Sequence, residues 1–304
     1  MVGKGPQARK SILFVNLHKN NANTAADRIR LDLESRGTEV TIFPIEGRPT
    51  SFPDGSWDIA FSLGGDGTVL YAARMLANTA TPILPVQLGT LGFLASVEMH
   101  EWVSVYQSWL AGTARLSRRC MFEVSVERAG RSVYGNICLN DAVVSSLGIA
   151  KLIRLGVRME VAPGELADLG CYRADGLVIA TPTGSTAYSM AAGGPIVDPE
   201  MEARIISPIC PFSLANRPLV LPSRKTLFVT VEKKQRSGVL LTVDGQDTFI
   251  LEGGDTVTVG HFPHCAILVT AGGSAYYSAL REKLAWHRDD TPPDGGTSEG
   301  GIHA

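Results

Sequence analysis

Residues 57–77, WDIAFSLGGDGTVLYAARMLA, run from strand to turn to helix. The apolar run 57–63 has the composition of a buried parallel strand. Across 68–77, Val69, Ala72, Ala73, Leu76 and Ala77 share one helical face. Between them lie Gly64, Gly65, Asp66, Gly67 and Thr68. Glycines at a strand-to-helix turn adopt unusual backbone angles and let a phosphate approach the amides. A carboxylate in that loop repels a phosphate ester unless a metal ion intervenes, or unless it accepts the proton of a hydroxyl nucleophile. Asp66 is therefore the first candidate for catalysis. The competing reading is a tight turn with Asp capping a helix.

Strand and helix alternate on either side of this stretch. Residues 11–17 predict a strand, and 24–36 a helix with Asn23 as N-cap and Gly37 as its stop. Residues 39–45 and 82–88 predict further strands, and 99–110 a helix. A second glycine turn, Gly89-Thr90-Leu91-Gly92-Phe93, follows the strand at 82–88. Alternation of this kind implies a parallel sheet covered by helices, with ligands beyond the carboxyl ends of its strands. Both glycine turns sit at such ends.

Near Leu116 the period changes. Ile153, Leu155, Val157, Met159 and Val161 alternate cleanly, as do 122–126, 227–231 and 256–259. Ala129-Gly130 and Asp244-Gly245 supply hairpin turns. The region to about Val269 reads as an antiparallel β domain with one wet face per sheet. Residues 274–286 have a helical period and return to the first domain. The expected boundaries are a flexible start at 1–10, an α/β domain at 11–115, a β domain at 116–270, a C-terminal helix at 271–287 and a disordered tail at 288–304.

Composition narrows the partners. A net charge of -2 gives no global pull toward nucleic acid or an anionic membrane. No apolar run is long enough to span a bilayer, and the N-terminus lacks the pattern of a secretory signal. Five scattered cysteines without a C-x-x-C spacing read as reduced thiols of a cytoplasmic protein, mostly in the core. His261 and His264 flank a Phe-Pro pair and read as part of a surface loop, not a metal site.

A second constellation lies within the β region. The apolar strand Leu177-Val178-Ile179-Ala180 feeds Thr181-Pro182-Thr183-Gly184-Ser185-Thr186-Ala187-Tyr188-Ser189. Its hydroxyls and amides suit phosphates or sugars, and Tyr188 offers a ring that can stack on a base. The loop also opens like a helix start, with Ser185 or Thr186 as cap. Arg173 and Asp175 flank the strand with opposite charges. Asn140-Asp141 interrupts an apolar run, which is costly unless both are bonded; alone, the pair reads best as a turn or bulge.

Together these segments resemble the NAD kinase family over most of the chain. The carriers are GGDGT at 64–68, QLGTLGFL at 87–94, Asn140-Asp141, DGLVIATPTGSTAYSMAAGGPIV at 175–197, SPICPFSLANRPLVLP at 207–222 and Asp244-Gly245-Gln246. The GGDG segment is shared with lipid and phosphofructo-type kinases; TPTGSTAYS separates NAD kinases from them. Asp141 stands where the family usually has Glu, and Gln87 where Asn is common.

The resemblance implies a Rossmann-like α/β domain, a β-sandwich domain, and transfer of the γ-phosphoryl group of ATP to the 2′-hydroxyl of the adenosine ribose of NAD. It implies Mg2+ or another divalent cation, and a homodimer or homotetramer. Asp66 would take the hydroxyl proton or hold the metal through phosphates. Gly64, Gly65, Gly67 and Thr68 would meet phosphate. Phe93 and Tyr188 would line the adenine pocket, and Asn140 and Asp141 would hold adenine or ribose. Asp175 and Ala187 would contact the nicotinamide half, with Arg173 near the diphosphate. Thr186, Ser189 and Gln246 complete the expected NAD site. Two other classes stay open here: a lipid kinase using the same first loop, and a non-catalytic NADP sensor, which needs no carboxylate at 66.

Overall fold

The computed structural model describes residues 10–46, 52–90, 92–148, 151–272 and 275–285. The first part contains β1 (Lys10–Asn16), α1 (Ala22–Ser35), β2 (Glu39–Ile45), β3 (Ile59–Gly64), α2 (Asp66–Met75), β4 (Ile83–Gln87), β5 (Val97–Glu98) and α3 (Trp102–Leu110). The second contains β6 (Arg115–Arg128), β7 (Arg131–Cys138), β8 (Asp141–Ser146), β9 (Ile153–Ala162), β10 (Glu165–Ala174) and β11 (Gly176–Ala180). A 3-10 turn at Thr183–Thr186 leads to α4 (Tyr188–Ala191). Then come β12 (Ala203–Ile209), β13 (Leu219–Pro222), β14 (Leu227–Val231), β15 (Val239–Val243), β16 (Asp247–Leu251), β17 (Thr256–Thr270) and α5 (Ala275–Leu284).

The period-two rule explains the three layers of the first part. Leu13 and Val15 of β1, with Phe61 and Leu63 of β3, pack against Ile29 and Leu33 of α1 and Trp102 and Tyr106 of α3. Ile12, Phe14 and Ala60 point to the other face and meet Val69, Ala72 and Ala73 of α2. β3 and β4 are buried along their whole length, as central parallel strands require.

One large sheet runs through both parts, in the order β10-β9-β14-β17-β4-β3-β1-β2. The long strand β17 lies antiparallel to β6 and β14 and then parallel to β4, where Leu268 faces Ile83. A second, antiparallel sheet has the order β13-β12-β11-β8-β15-β16. Val124, Leu155, Val229 and Val257 from the large sheet close on Val144, Ile179 and Leu241 from the second. The result is an α/β layer joined to a β-sandwich.

Several local expectations change. Asn21, in the left-handed region at φ 64°, precedes α1, so Asn23 lies inside the first turn. The positive φ of 81° at Gly37 follows the helix end as expected. His261 and His264 lie within β17, where the pairing with β6 is irregular between His261 and Cys265, and not in a surface loop. Only Cys120 and Cys138 are buried; Cys171 and Cys210 are exposed, Cys265 is intermediate, and all five are free thiols. The expected cap is not made: Ala187 precedes α4, the Ser185 hydroxyl bonds the Val197 backbone and that of Thr186 the Thr183 carbonyl. Of the expected flexible start at 1–10, Lys10 opens β1, while residues 1–9 and the expected tail at 288–304 lie outside the described residues. Among those described, no helix is long and apolar enough to cross a membrane.

Trp102 is fully buried against Phe61 and Tyr106. Trp102→Ala should destabilise the protein by about 3–5 kcal/mol, read as a lowered denaturant midpoint at unchanged m-value. A loss below about 1 kcal/mol would show that the α3 layer is not part of the cooperative core.

Candidate active site

Asp66 is the first residue of α2, at the carboxyl end of β3. Its carboxylate accepts three successive backbone N–H groups from the second glycine turn: Phe93 at 2.9 Å, Leu94 at 3.0 Å and Ala95 at 2.8 Å. A Cβ at Gly92 would sit 1.9 Å from Asp66 Oδ1, so this approach needs glycine. A carboxylate has about four acceptor sites, and these bonds leave roughly one for a ligand hydroxyl or a cation. The two glycine turns therefore meet at Asp66. On the other side, Asn16 Nδ2 donates to Thr68 Oγ1 at 3.3 Å, while a Cβ at Gly64 would lie 2.1 Å from that hydroxyl.

Asp244 repeats the pattern from the β-sandwich. With Gly245 it forms the hairpin turn between β15 and β16, at φ 51° and 66°. Its buried carboxylate accepts the N–H groups of Leu139 at 3.1 Å, Asn140 at 2.7 Å and Asp141 at 3.2 Å. These amides form the bend from β7 into β8, so Asn140-Asp141 is a turn held by a third segment. Arg74, in the last turn of α2, places Nη1 3.6 Å from Asp244 Oδ2. Gln246 accepts from Arg74 Nη2 at 2.5 Å and donates to the Gly67 carbonyl at 2.7 Å. The Asp244–Gln246 turn thus ties the Gly-rich turn to the β-sandwich.

The hydroxyl-rich loop closes the same region from another side. Thr181 donates its hydroxyl to the Leu139 carbonyl at 2.5 Å and its N–H to the Asn140 carbonyl at 2.8 Å. A Cβ at Gly184 would lie 2.1 Å from the Asn140 carbonyl oxygen. Ser185 bonds both polar groups of the Val197 backbone, and Ser189 pairs with Ser207 at 3.0 Å. Thr186 donates to the Thr183 carbonyl at 3.3 Å. These hydroxyls serve the loop's own fold. What they build is one wall of a cavity of about 340 Å3, lined by Asn140, Asp141, Ala187, Tyr188, Asp244 and Gly245 among others. Tyr188, which lines it, is 48% exposed.

Burial, and then the neighbouring Asp244 carboxylate, push Asp141 up to about 7. Burial also raises Asp244, while Arg74 and the three amides pull it back.

Family models match the chain as the ATP-NAD kinase N-terminal domain over residues 12–114 and the ATP-NAD kinase C-terminal domain over 139–277. The chain belongs to the ATP-NAD kinase family. The NAD kinase of Treponema denticola is 36% identical over 286 residues, 93% of this chain and 99% of that one. That of Geobacter sulfurreducens is 38% identical, covering 91% and 99%. Yeast NADH kinase, solved with NADH, superposes with a TM-score of 0.80 at 26% identity, covering 94% and 92%. An Archaeoglobus fulgidus NAD kinase solved with ATP shares the fold at a TM-score of 0.69 and 23% identity, covering 91% and 99%.

The NAD kinase segments named from sequence are unevenly gathered. Asn140, Asp141, Ala187 and Tyr188 line the cavity, and Asp66, Gly67 and Gln246 adjoin it through the Gly67–Gln246 bond. Phe93 faces elsewhere: its ring is 6.4 Å from that of Tyr276 in α5, and Lys283 Nζ lies 4.7 Å from the ring centre. Arg173 does not pair with Asp175; its guanidinium stacks 4.6 Å over the exposed ring of Phe212. Gln87 is buried with Oε1 unpartnered, and its Nε2 bonds the Gly89 carbonyl. The sequence did not point to Arg74, and it marked Asp244 as part of a turn matching the family without assigning its carboxylate a partner. An arginine ending an apolar helix face was the available signal for the first.

An acid with a raised native pKa keeps its proton after the unfolded chain has lost it. Between about pH 4 and 7, unfolding the ligand-free protein therefore releases a proton at Asp141, and stability falls as pH rises. Relative to Asp141→Asn, the parent should lose about 1–3 kcal/mol between roughly pH 5 and 8 in urea titrations. A difference that does not vary with pH would show that Asp141 is not a raised acid.

Proposed function

We propose that the chain transfers the γ-phosphoryl group of ATP to the 2′-hydroxyl of the adenosine ribose of NAD, with Asp66 acting on that hydroxyl and the β-sandwich cavity holding the adenosine. The observation that carries this reading is the bond from Gln246 to Gly67. It joins the turn lining the cavity to the turn carrying the carboxylate. The cavity is of nucleoside size and combines an aromatic face, Tyr188, with polar groups at Asn140 and Asp141. Asp66 keeps one acceptor position for the hydroxyl proton. The amides of Gly65 and Gly67 are the phosphate donors, because the Thr68 N–H donates to the Gly65 carbonyl at 2.9 Å. Phosphoryl transfer depends on positioning and charge neutralisation more than on covalent chemistry, which suits a site built from clasped loops.

A divalent cation, Mg2+ or a similar ion, fits as a partner of the nucleotide phosphates. Among the described residues no group of three or more His, Cys, Asp or Glu side chains converges, which suits an ion held by Asp66 together with the phosphates. The cation would offset negative charge on the transferred group. Arg173 and Asp175 stand outside the adenosine cavity, which fits a place along the far half of the dinucleotide. The α/β and β-sandwich parts are proposed as the domains 11–115 and 116–270, followed by the helix at 271–287. A homodimer or homotetramer is supported by Phe212 and Leu214, exposed by 66% and 85% near the edge strand β13; sedimentation at micromolar protein distinguishes these from a monomer. The free thiols favour a reducing compartment, the cytoplasm.

The test is NADP formation from NAD with ATP, and separately with polyphosphate, by the parent and by Asp66→Asn. The parent should turn over with ATP. The variant should lose about a hundredfold or more in kcat. Asn also turns an amide donor toward an N–H of the 93–95 loop, so the loop should exchange its amides faster. Near-parent turnover of the variant with ATP and magnesium would overturn the role of Asp66. Turnover with polyphosphate alone would overturn ATP as the donor.

A further inference from the structure

Arg74 touches no reacting group, yet its placement is demanding. Its side chain is 8% exposed, and that of Asp244 not at all. The cation meets the anion at 3.6 Å and donates to Gln246 at 2.5 Å, with the Tyr71 ring centre 6.0 Å away. The remaining positions on Asp244 are taken by the amides of 139–141. Removing one partner of a buried ion pair leaves an uncompensated charge, which takes up a proton or moves toward water. Either response loosens the three amides, and with them the cavity edge that presents Asn140 and Asp141.

Arg74 and Asp66 belong to one rigid element. Eight helical steps separate them, about 12 Å along the axis. At one end of α2 the carboxylate grips the 93–95 amides; at the other, the guanidinium grips the carboxylate that holds 139–141. Gln246 closes the loop by bonding both Arg74 and Gly67, each one residue from an end of the helix.

We propose that Arg74 is a positioning residue for phosphoryl transfer: by holding Asp244 and Gln246, it fixes the Asn140–Asp141 edge of the cavity relative to the helix that carries Asp66. The inference rests on the reading that Asp66 and Asn140–Asp141 serve one substrate. Arg74 acts through alignment and does not itself touch the reacting atoms. Small displacements of reacting groups cost large factors in rate, so its loss appears in kcat before KM.

The electrostatics supply a readout that a merely structural residue would not move. Asp244 is faced by Arg74 from α2, by Asp141 from β8 and by the Cys138 thiol from β7. Arg74 is faced also by Tyr71 of its own helix and Tyr134 of β7. Of these groups, Asp141 and Asp244 are the acids. Taking the cation away raises the proton affinity of the acid pair, so the acidic limb of the kcat profile moves to higher pH.

The experiment measures kcat and KM for NAD from roughly pH 6 to 9 in the parent, Arg74→Met, Arg74→Gln and Arg74→Lys, with Asp66→Asn alongside. The neutral variants should lose about tenfold or more in kcat, with KM changed less than about threefold and the acidic limb shifted upward. Lysine keeps the charge without the fork, and should bring kcat back to within about threefold and the limb back to the parent's position. Glutamine retains a donor for Gln246, so the series stays readable if methionine at 74 fails to fold. Parent-like kcat in the neutral variants overturns the inference. So does a loss of kcat with an unmoved acidic limb and no recovery by lysine, or a failure of both neutral variants to fold; either makes Arg74 a stability residue. Full turnover by Asp66→Asn would instead overturn the site reading on which the inference stands, whatever the Arg74 series shows.

Discussion

Helix α2 carries opposite charges at its two ends, and each holds another segment by its backbone. Asp66 gathers the amides of 93–95 directly. Arg74 acts at one remove, through the carboxylate of Asp244, which gathers those of 139–141. Backbone N–H groups in a bend have no ladder partner and need an acceptor. A carboxylate that satisfies three of them at once fixes a loop that packing alone leaves loose, and charge-assisted bonds are the stronger kind. The cleft between the two parts of the molecule is organised from this one helix.

The same economy explains the density of small residues in the site. Gly92 is glycine because Asp66 occupies the space of its Cβ, and Gly184 because the Asn140 carbonyl does. The hydroxyls of Thr181, Ser185 and Ser189 are consumed by neighbouring backbone and by Ser207. They bring the loop close to the 139–141 bend and leave Ala187 and Tyr188 as the surface that a ligand meets. A loop that reads as ligand-binding from composition is, atom by atom, mostly a device for holding its own shape. Its chemistry lies in what that shape exposes.

Buried charge carries a cost here as well as a use. Asp141 and Asp244 share one region of low polarity, where Arg74 forms an ion pair with Asp244. Asp244 accepts three amides and has the Arg74 guanidinium at 3.6 Å as an ion pair. Asp141 offers its own amide to Asp244 and keeps its side chain on the cavity, where burial favours the protonated form. A ligand hydroxyl or ring N–H entering the cavity would supply the donor that favours the ionised form.

Much of this was legible in the chain itself. The alternation of apolar strands and amphipathic helices before residue 115, and of two-residue periods after it, prescribed an α/β layer and a β-sandwich because side-chain periodicity must match the surface being buried. The hairpin turns at Ala129-Gly130 and Asp244-Gly245 followed from local backbone preference, as did the glycine after α1. The glycine-rich turn and the TPTGSTAYS loop marked the site as sequence motifs. Tertiary structure alone decided who meets whom there. That Asp66 clasps 93–95, that Asp244 clasps 139–141, that Arg74 belongs to the site, and that Phe93 and Arg173 turn to Tyr276 and Phe212 all depend on contacts between residues far apart in sequence. Local propensity carries no information about such pairs, because their energies exist only once the sheet has brought α2, the β7–β8 bend and the β15–β16 turn to one place.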